Sequence, residues 1–95
     1  MRTISMPDPT PYDVIVSLAG HDRGKLFQVV GWQEDRVLLC DGKNRRLTNP
    51  KRKSPKHVRV ALRVSEKPES DRAVRTTLAL AARSAAKEER QLGER

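Results

Sequence analysis

Gly20 and Gly24 bracket His21, Asp22 and Arg23, and Lys25 follows directly. Glycine lets backbone N–H groups approach an anion closely, and Arg23 and Lys25 supply positive charge, so this stretch has the makings of a phosphate-contacting loop. Asp22 would repel phosphate; it reads better as a short side chain that bonds to nearby backbone and holds the turn. The bland alternative for the whole stretch is an ordinary glycine-bearing turn. A second group lies further on: Lys43, Arg45 and Arg46, then Lys51, Arg52, Lys53, Lys56 and His57. If Lys43 to Thr48 form a strand, alternation puts Lys43 and Arg45 on one face with Leu47 and Arg46 on the other, and both faces cannot be core. One basic face is then exposed, and the later lysines extend it.

The net charge of +8 is concentrated in this second group. Residues 41–60 hold eight basic residues and one acidic, a net +7, whereas residues 1–40 have a net charge of −1. A charge run is usually just a solvated face, but one this local favours a polyanionic partner, because neutralising phosphates releases condensed counterions. Nucleic acid is the first candidate and an anionic membrane surface the second.

Other chemistries find little to work with. There is no Cys/His or Ser/His/Asp set with a pocket to serve, so no catalytic residue is assigned and the chain reads as a non-enzyme. Cys40, the single cysteine, permits no disulfide framework and sits in an apolar run where a buried inert thiol is the default. Metal binding fails on ligand count, and no cofactor is implied. With one Phe, one Trp and one Tyr, base stacking has few platforms; Phe27 and Trp32 read as core or half-buried strand residues, and His21 and His57 as surface histidines. No apolar h-region follows Arg2 and no apolar run is long enough to span a bilayer, so a soluble, cytoplasmic protein without membrane association is expected.

The elements that must position these residues are short. Residues 1–11, with Pro7, Pro9 and Pro11, read as a flexible leader. The domain should occupy residues 12–65. Val14, Val16 and Leu18 alternate with Ile15, Ser17 and Ala19 as a strand with one face toward a core, and Leu26 to Trp32 form a second strand. Gln33 to Arg36 suit a hairpin connection into Val37 to Cys40, an apolar run covered on both sides. Asp41-Gly42 has the signature of a tight primed turn, which returns Lys43 to Thr48 as a fourth strand. Residues 49–57, with two prolines and no hydrophobic residue, read as an extended, solvated basic arm. Val58, Val60 and Leu62 alternate cleanly with Arg59, Ala61 and Arg63. Five short strands fit a small barrel. Residues 66–95 change composition: Ser70 is a candidate N-cap for a long helix that stops at Gly93. Its stripe of Val74, Leu78, Ala81 and Ala85 is alanine-rich and promises only weak docking.

The run from Val14 to Val30, with alternating hydrophobics, Gly20, three residues, Gly24-Lys25 and further hydrophobics, resembles the KOW motif of ribosomal proteins and NusG-type elongation factors. The continuation through Asp41-Gly42-Lys43, Arg46-Leu47, Asn49-Pro50-Lys51-Arg52-Lys53 and Pro55-Lys56-His57 is similar to small bacterial KOW-domain RNA-binding proteins. Those in turn resemble a KOW-bearing large-subunit ribosomal protein of archaea and eukaryotes. The likeness covers about residues 12–60 and leaves the leader and the helix out. It implies a five-stranded SH3-like barrel, to which the composition of residues 66–95 adds a C-terminal helical extension, and a non-catalytic RNA-binding role, ribosomal or ribosome-associated, with rRNA as partner. Contact would run through Gly20, His21, Arg23, Gly24, Lys25 and the basic residues from Lys43 to His57; the helix, which the likeness does not cover, is expected to dock on a neighbouring ribosomal protein. An SH3-like module that binds polypeptides in a transcription or translation complex is the competing reading, although this chain lacks residues to line an aromatic groove. Nonspecific DNA packaging is a third.

Overall fold

The computed structural model describes residues 11–93, and the side chains of its helix through Ser84. Except for Pro11, the leader expected over residues 1–11 lies outside the described residues, as does the side chain of Ala85. The fold is mainly β: strands β1 (Val14–Ser17), β2 (Leu26–Gln33), β3 (Arg36–Cys40), β4 (Lys51–Lys53) and β5 (Val58–Leu62) form one antiparallel sheet, and α1 (Asp71–Gly93) follows. The strand order is β4-β3-β2-β1-β5. No ladder joins β4 to β5, so the sheet is not closed into a barrel.

The β2–β3 hairpin turns on Glu34-Asp35, with Gln33 opposite Arg36, as the polar run between the two apolar stretches leads one to expect. Ile15, Phe27, Val29, Val37, Leu39 and Val58 pack on one face of the sheet as the core, with Val60 against them. The opposite face is also covered. Val14, Gln28 and Cys40 stand in one row across β1, β2 and β3, and all three are buried. α1 packs across β2, β1 and β5, with Val74 and Ala81 buried. The expected one-sided β1 is therefore corrected: Ile15 faces the core, Val14 faces the helix side, and Leu18, one residue past the strand, is 43% exposed. β5 keeps its alternation, with Arg59, Ala61 and Arg63 exposed.

The helix is anchored by more than its alanine stripe. Ser70 Oγ caps the Ala73 N–H at 3.1 Å, the Asp71 carboxylate accepts the Leu47 N–H at 2.8 Å, and the Arg75 guanidinium donates to Gly42 O at 2.7 Å. At the entry of β1 the buried Asp13 carboxylate accepts the Val64 N–H and the Arg63 guanidinium, at 2.9 and 2.8 Å. These bonds tie the entry of β1 to the chain just beyond β5.

The fourth strand is not where Asp41-Gly42 points. Residues 43–48 form a loop, because the donors a ladder would need are used locally. Asp41 Oδ1 accepts the N–H groups of Lys43 and Arg45, each at 2.8 Å, and Arg45 O accepts those of Asp41 and Gly42. Gly42 does take a positive φ of 80°, but what it serves is contact with the helix. A Cβ there would lie 2.5 Å from Asp71 O. Nor is 49–57 a free arm. Lys51–Lys53 pair with β3, Leu38 opposite Arg52, and Pro55–His57 form a 3-10 turn leading into β5.

Candidate nucleic-acid interface

The loop between β1 and β2 closes on itself. Gly24 N–H donates to Ser17 O at 2.8 Å, Lys25 N–H to Asp22 O at 2.9 Å and Arg23 N–H to Gly20 O at 3.2 Å. Gly20 and Gly24 hold φ of 90° and 87°, the left-handed region in which glycine is unstrained. These three N–H groups are thus taken by the turn and are not free to cradle a phosphate. What the loop offers outward is its side chains: His21, Arg23 and Lys25 are all exposed.

Asp22 points the other way. It is 6% exposed, and its carboxylate accepts the Ser17 hydroxyl at 2.7 Å, Lys53 Nζ at 3.0 Å and Lys51 Nζ. Lys53 Nζ also donates to Ala19 O at 2.9 Å. Burial by itself raises the pKa of Asp22. The bonds from Lys51, Ser17 and Lys53, with the Lys51 charge, outweigh burial and hold the carboxyl well below the ordinary range. The bonds to nearby backbone expected of Asp22 are corrected: its carboxylate partners are the Ser17 hydroxyl and two lysines of β4, and the turn is closed by backbone bonds. The consequence is geometric: the glycine loop and the basic segment, some 30 residues apart in sequence, are clamped side by side. Leu18 N–H adds a 2.9 Å bond to His57 O.

The sequence candidates therefore fall into three groups. His21, Arg23, Lys25, Lys56 and His57 are exposed around the clamp, with Gly20 and Gly24 shaping the loop beneath them. Lys51 and Lys53 are partly buried and committed to Asp22. Lys43 and Arg46 are exposed on the loop that meets the helix N-terminus, where Arg46 Nε donates to Lys43 O at 3.3 Å, whereas Arg45 and Arg52 line a separate groove with Trp32. Two residues escaped sequence reasoning. Arg59, opposite Val16 in β5 and exposed, adds a cation next to His57; its place on the polar side of a clean alternation was the available signal. Trp32 is 39% exposed, more open than its apolar strand context implies. Among the described residues no group of His, Cys, Asp and Glu is placed to hold a metal ion, and no helix is long and apolar enough to cross a membrane. Compared with protein-family models and with curated proteins, the chain matches none.

Proposed function

We propose that this chain is a cytoplasmic, non-catalytic RNA-binding module of the KOW class, its sheet curled toward an SH3-like barrel, acting on rRNA or another structured RNA. The observation that carries the reading is the Asp22 clamp. It fastens the glycine loop, with Arg23 and Lys25 exposed, against β4 of the basic segment, and Lys56 and Arg59 are exposed further along the same segment. Curling of the sheet is supported by the same contacts, since Lys53 on edge strand β4 reaches Ala19, two residues past the end of β1. Side chains that present charge without a stacking platform favour phosphate and sugar contacts, and hence recognition of RNA shape over sequence.

Four outward cations that each neutralise one phosphate give a slope of log K against log salt of about −3 to −4. The test is a salt series of the intact protein on structured RNA and on duplex DNA of matched length. We expect tighter binding to the RNA, and a slope flattened by about one unit for each of Arg23→Gln, Lys25→Gln and Lys56→Gln. Circular dichroism should be unchanged in these variants, because all three residues are exposed. Binding whose strength and salt slope are unchanged when Arg23→Gln, Lys25→Gln and Lys56→Gln are combined in one chain, or that fails to prefer RNA, overturns the reading and turns attention to a protein partner.

A further inference from the structure

α1 covers only part of the second face of the sheet. Beside its N-terminal end lies a hollow of about 650 Å3 whose apolar walls are Tyr12, Val30, Leu38, Leu47, Pro50 and Pro68. The backbone brings these residues together. Leu38 lies between the core residues Val37 and Leu39 on β3 and so faces away from the core, and Val30 sits in the β2 bulge between Val29 and Gly31. Tyr12 stands two residues before β1. Its carbonyl accepts the Gln28 Nε2–H at 2.9 Å, and it keeps a left-handed φ of 76°, a conformation that costs a tyrosine energy and that the surrounding structure has to hold. Leu47 is fixed by its N–H bond to Asp71, and the buried Pro68 closes the side from which the chain enters α1. The other five wall residues are half-buried. The charged groups stand at the rim. Lys67 and Glu69 line the side of the chain entering α1. On the other side the hollow shares Leu38 and Pro50 with a groove lined by Arg45 and Arg52. Arg52 is the ladder partner of Leu38, so it lies on the same face and is turned away from Lys51, Lys53 and the clamp. Its guanidinium donates to Gln33 Oε1 at 3.4 Å, exposed to solvent; Glu34 and Asp35 border it on the hairpin side without forming an ion pair.

We propose that this hollow docks an acidic segment of a protein partner. A bulky apolar side chain of that segment fills the space over Val30 and Leu38, and carboxylates next to it in the chain meet Arg45 and Arg52. Charge complementarity selects this partner. Two guanidinium groups adjoin the apolar walls at one end, while Glu69 disfavours acid at the other, so anchor and acids have a set order along the surface. An RNA strand suits it less. Of the walls, only Tyr12 carries a polar side-chain atom, so an unpaired base buried there would lose most partners for its edge. The surface lies on the opposite side of β4 from the clamp; it adds a protein contact to the RNA-binding reading and does not depend on that reading.

The probes are two capped peptides of three glycines, one leucine and three glutamates, one in that order and one reversed, titrated by NMR into the full isotope-labelled chain. One of them should shift the backbone amides of Tyr12, Val30, Leu38 and Leu47 saturably and leave those of Gly20 to Lys25 in place. Replacing its leucine by alanine should weaken binding by roughly 5- to 50-fold, for three carbons withdrawn from a half-open hollow. Replacing its glutamates by lysines should abolish binding. Arg45→Gln and Arg52→Gln should each weaken it by about 1.5- to 5-fold, and Glu69→Gln should tighten it by a similar factor, the scale of one exposed charge pair. The gain matters most, because a damaged fold does not produce it. No saturable shift with either peptide, shifts confined to Gly20 to Lys25, or equal affinity for the leucine and alanine probes would overturn the proposal. An oligouridylate that shifts the same four amides at lower concentration than the peptide would overturn it too, replacing the protein partner by RNA. Duplex RNA tests the clamp separately, so failure of either reading leaves the other standing.

Discussion

Asp22→Asn tests whether the clamp organises the interface. Asparagine keeps the shape and an acceptor for the Ser17 hydroxyl, but it removes the charge that Lys51 and Lys53 face and can turn an N–H toward one of them. A hydrogen bond involving a charged group contributes about 1.5–3 kcal/mol net. The Lys51 side chain is 28% exposed, so its ammonium can return to water and its loss belongs at the low end of that range or below. That of Lys53 is 11% exposed and stays held to Ala19 O, where it would be left beside a neutral amide. Together these give an expected destabilisation of about 2–3 kcal/mol, or a fall in Tm of roughly 10–20 °C for a domain of this size. The pH dependence has a definite sign. The folded carboxyl titrates below its unfolded value, so its contribution is fully present above the unfolded pKa of about 4 and is lost as pH falls through the lowered folded pKa. Urea unfolding near neutrality should separate the two proteins by the full amount, and the gap should shrink steadily in acid. Amide exchange should quicken first in the β3–β4 ladder. A gap below about 0.5 kcal/mol at neutral pH, the size of an ordinary surface substitution, or one that does not narrow in acid, would refute the clamp.

Gly42 and Gly24 share a positive φ but not an environment. Gly42→Ala adds a Cβ at 2.5 Å from Asp71 O and 2.7 Å from Arg75 Cγ, so left-handed strain and overpacking combine to about 3–4 kcal/mol. Gly24→Ala, with nothing within 4 Å, should cost only the strain of about 1–2 kcal/mol. Thermal unfolding ranks the pair, and the reverse order would show that α1 does not rest on Gly42. The Cys40 thiol is pushed up to about 11 by burial, with the charges of Asp71 and Asp41 adding to it. Native protein at mildly alkaline pH should thus resist iodoacetamide and react only after unfolding, whereas full labelling of the native state would place Cys40 at the surface.

How far the sequence reveals the fold depends on whether each signal is local. The β2–β3 hairpin, the alternation of β5 and the Ser70 cap rest on neighbours within a few residues, and the structure has them where pattern reading puts them. The stretch after Cys40 does not. Asp41-Gly42 carries a true turn signature, but a primed hairpin also needs a returning strand with free donors, and the Asp41 carboxylate takes two of them. The positive φ of Gly42 is instead used by Arg75 and Asp71, about 30 residues later. The docking of α1 escapes a hydrophobic-stripe estimate for the same reason, since Val74 and Ala81 are helped by polar anchors that no helical periodicity encodes.

The same distinction separates the parts of the interface. Sequence marks Lys51, Lys53, Arg23 and Lys25 as one population of cations, because charge density makes no distinction between a cation facing water and one facing a carboxylate. In the structure, a single buried acid divides them. Lys51 and Lys53 share the single negative charge of Asp22 and serve to position the strand, while Arg23, Lys25, Lys56 and Arg59 face water. A salt slope computed from the net +7 of residues 41–60 therefore overstates what the surface can deliver; an ammonium already paired inside the protein displaces no counterion from RNA unless its pair is broken first, at the cost of the clamp. The acid that looked like an obstacle to phosphate binding is what holds the glycine loop, with its exposed Arg23 and Lys25, against the basic strand β4.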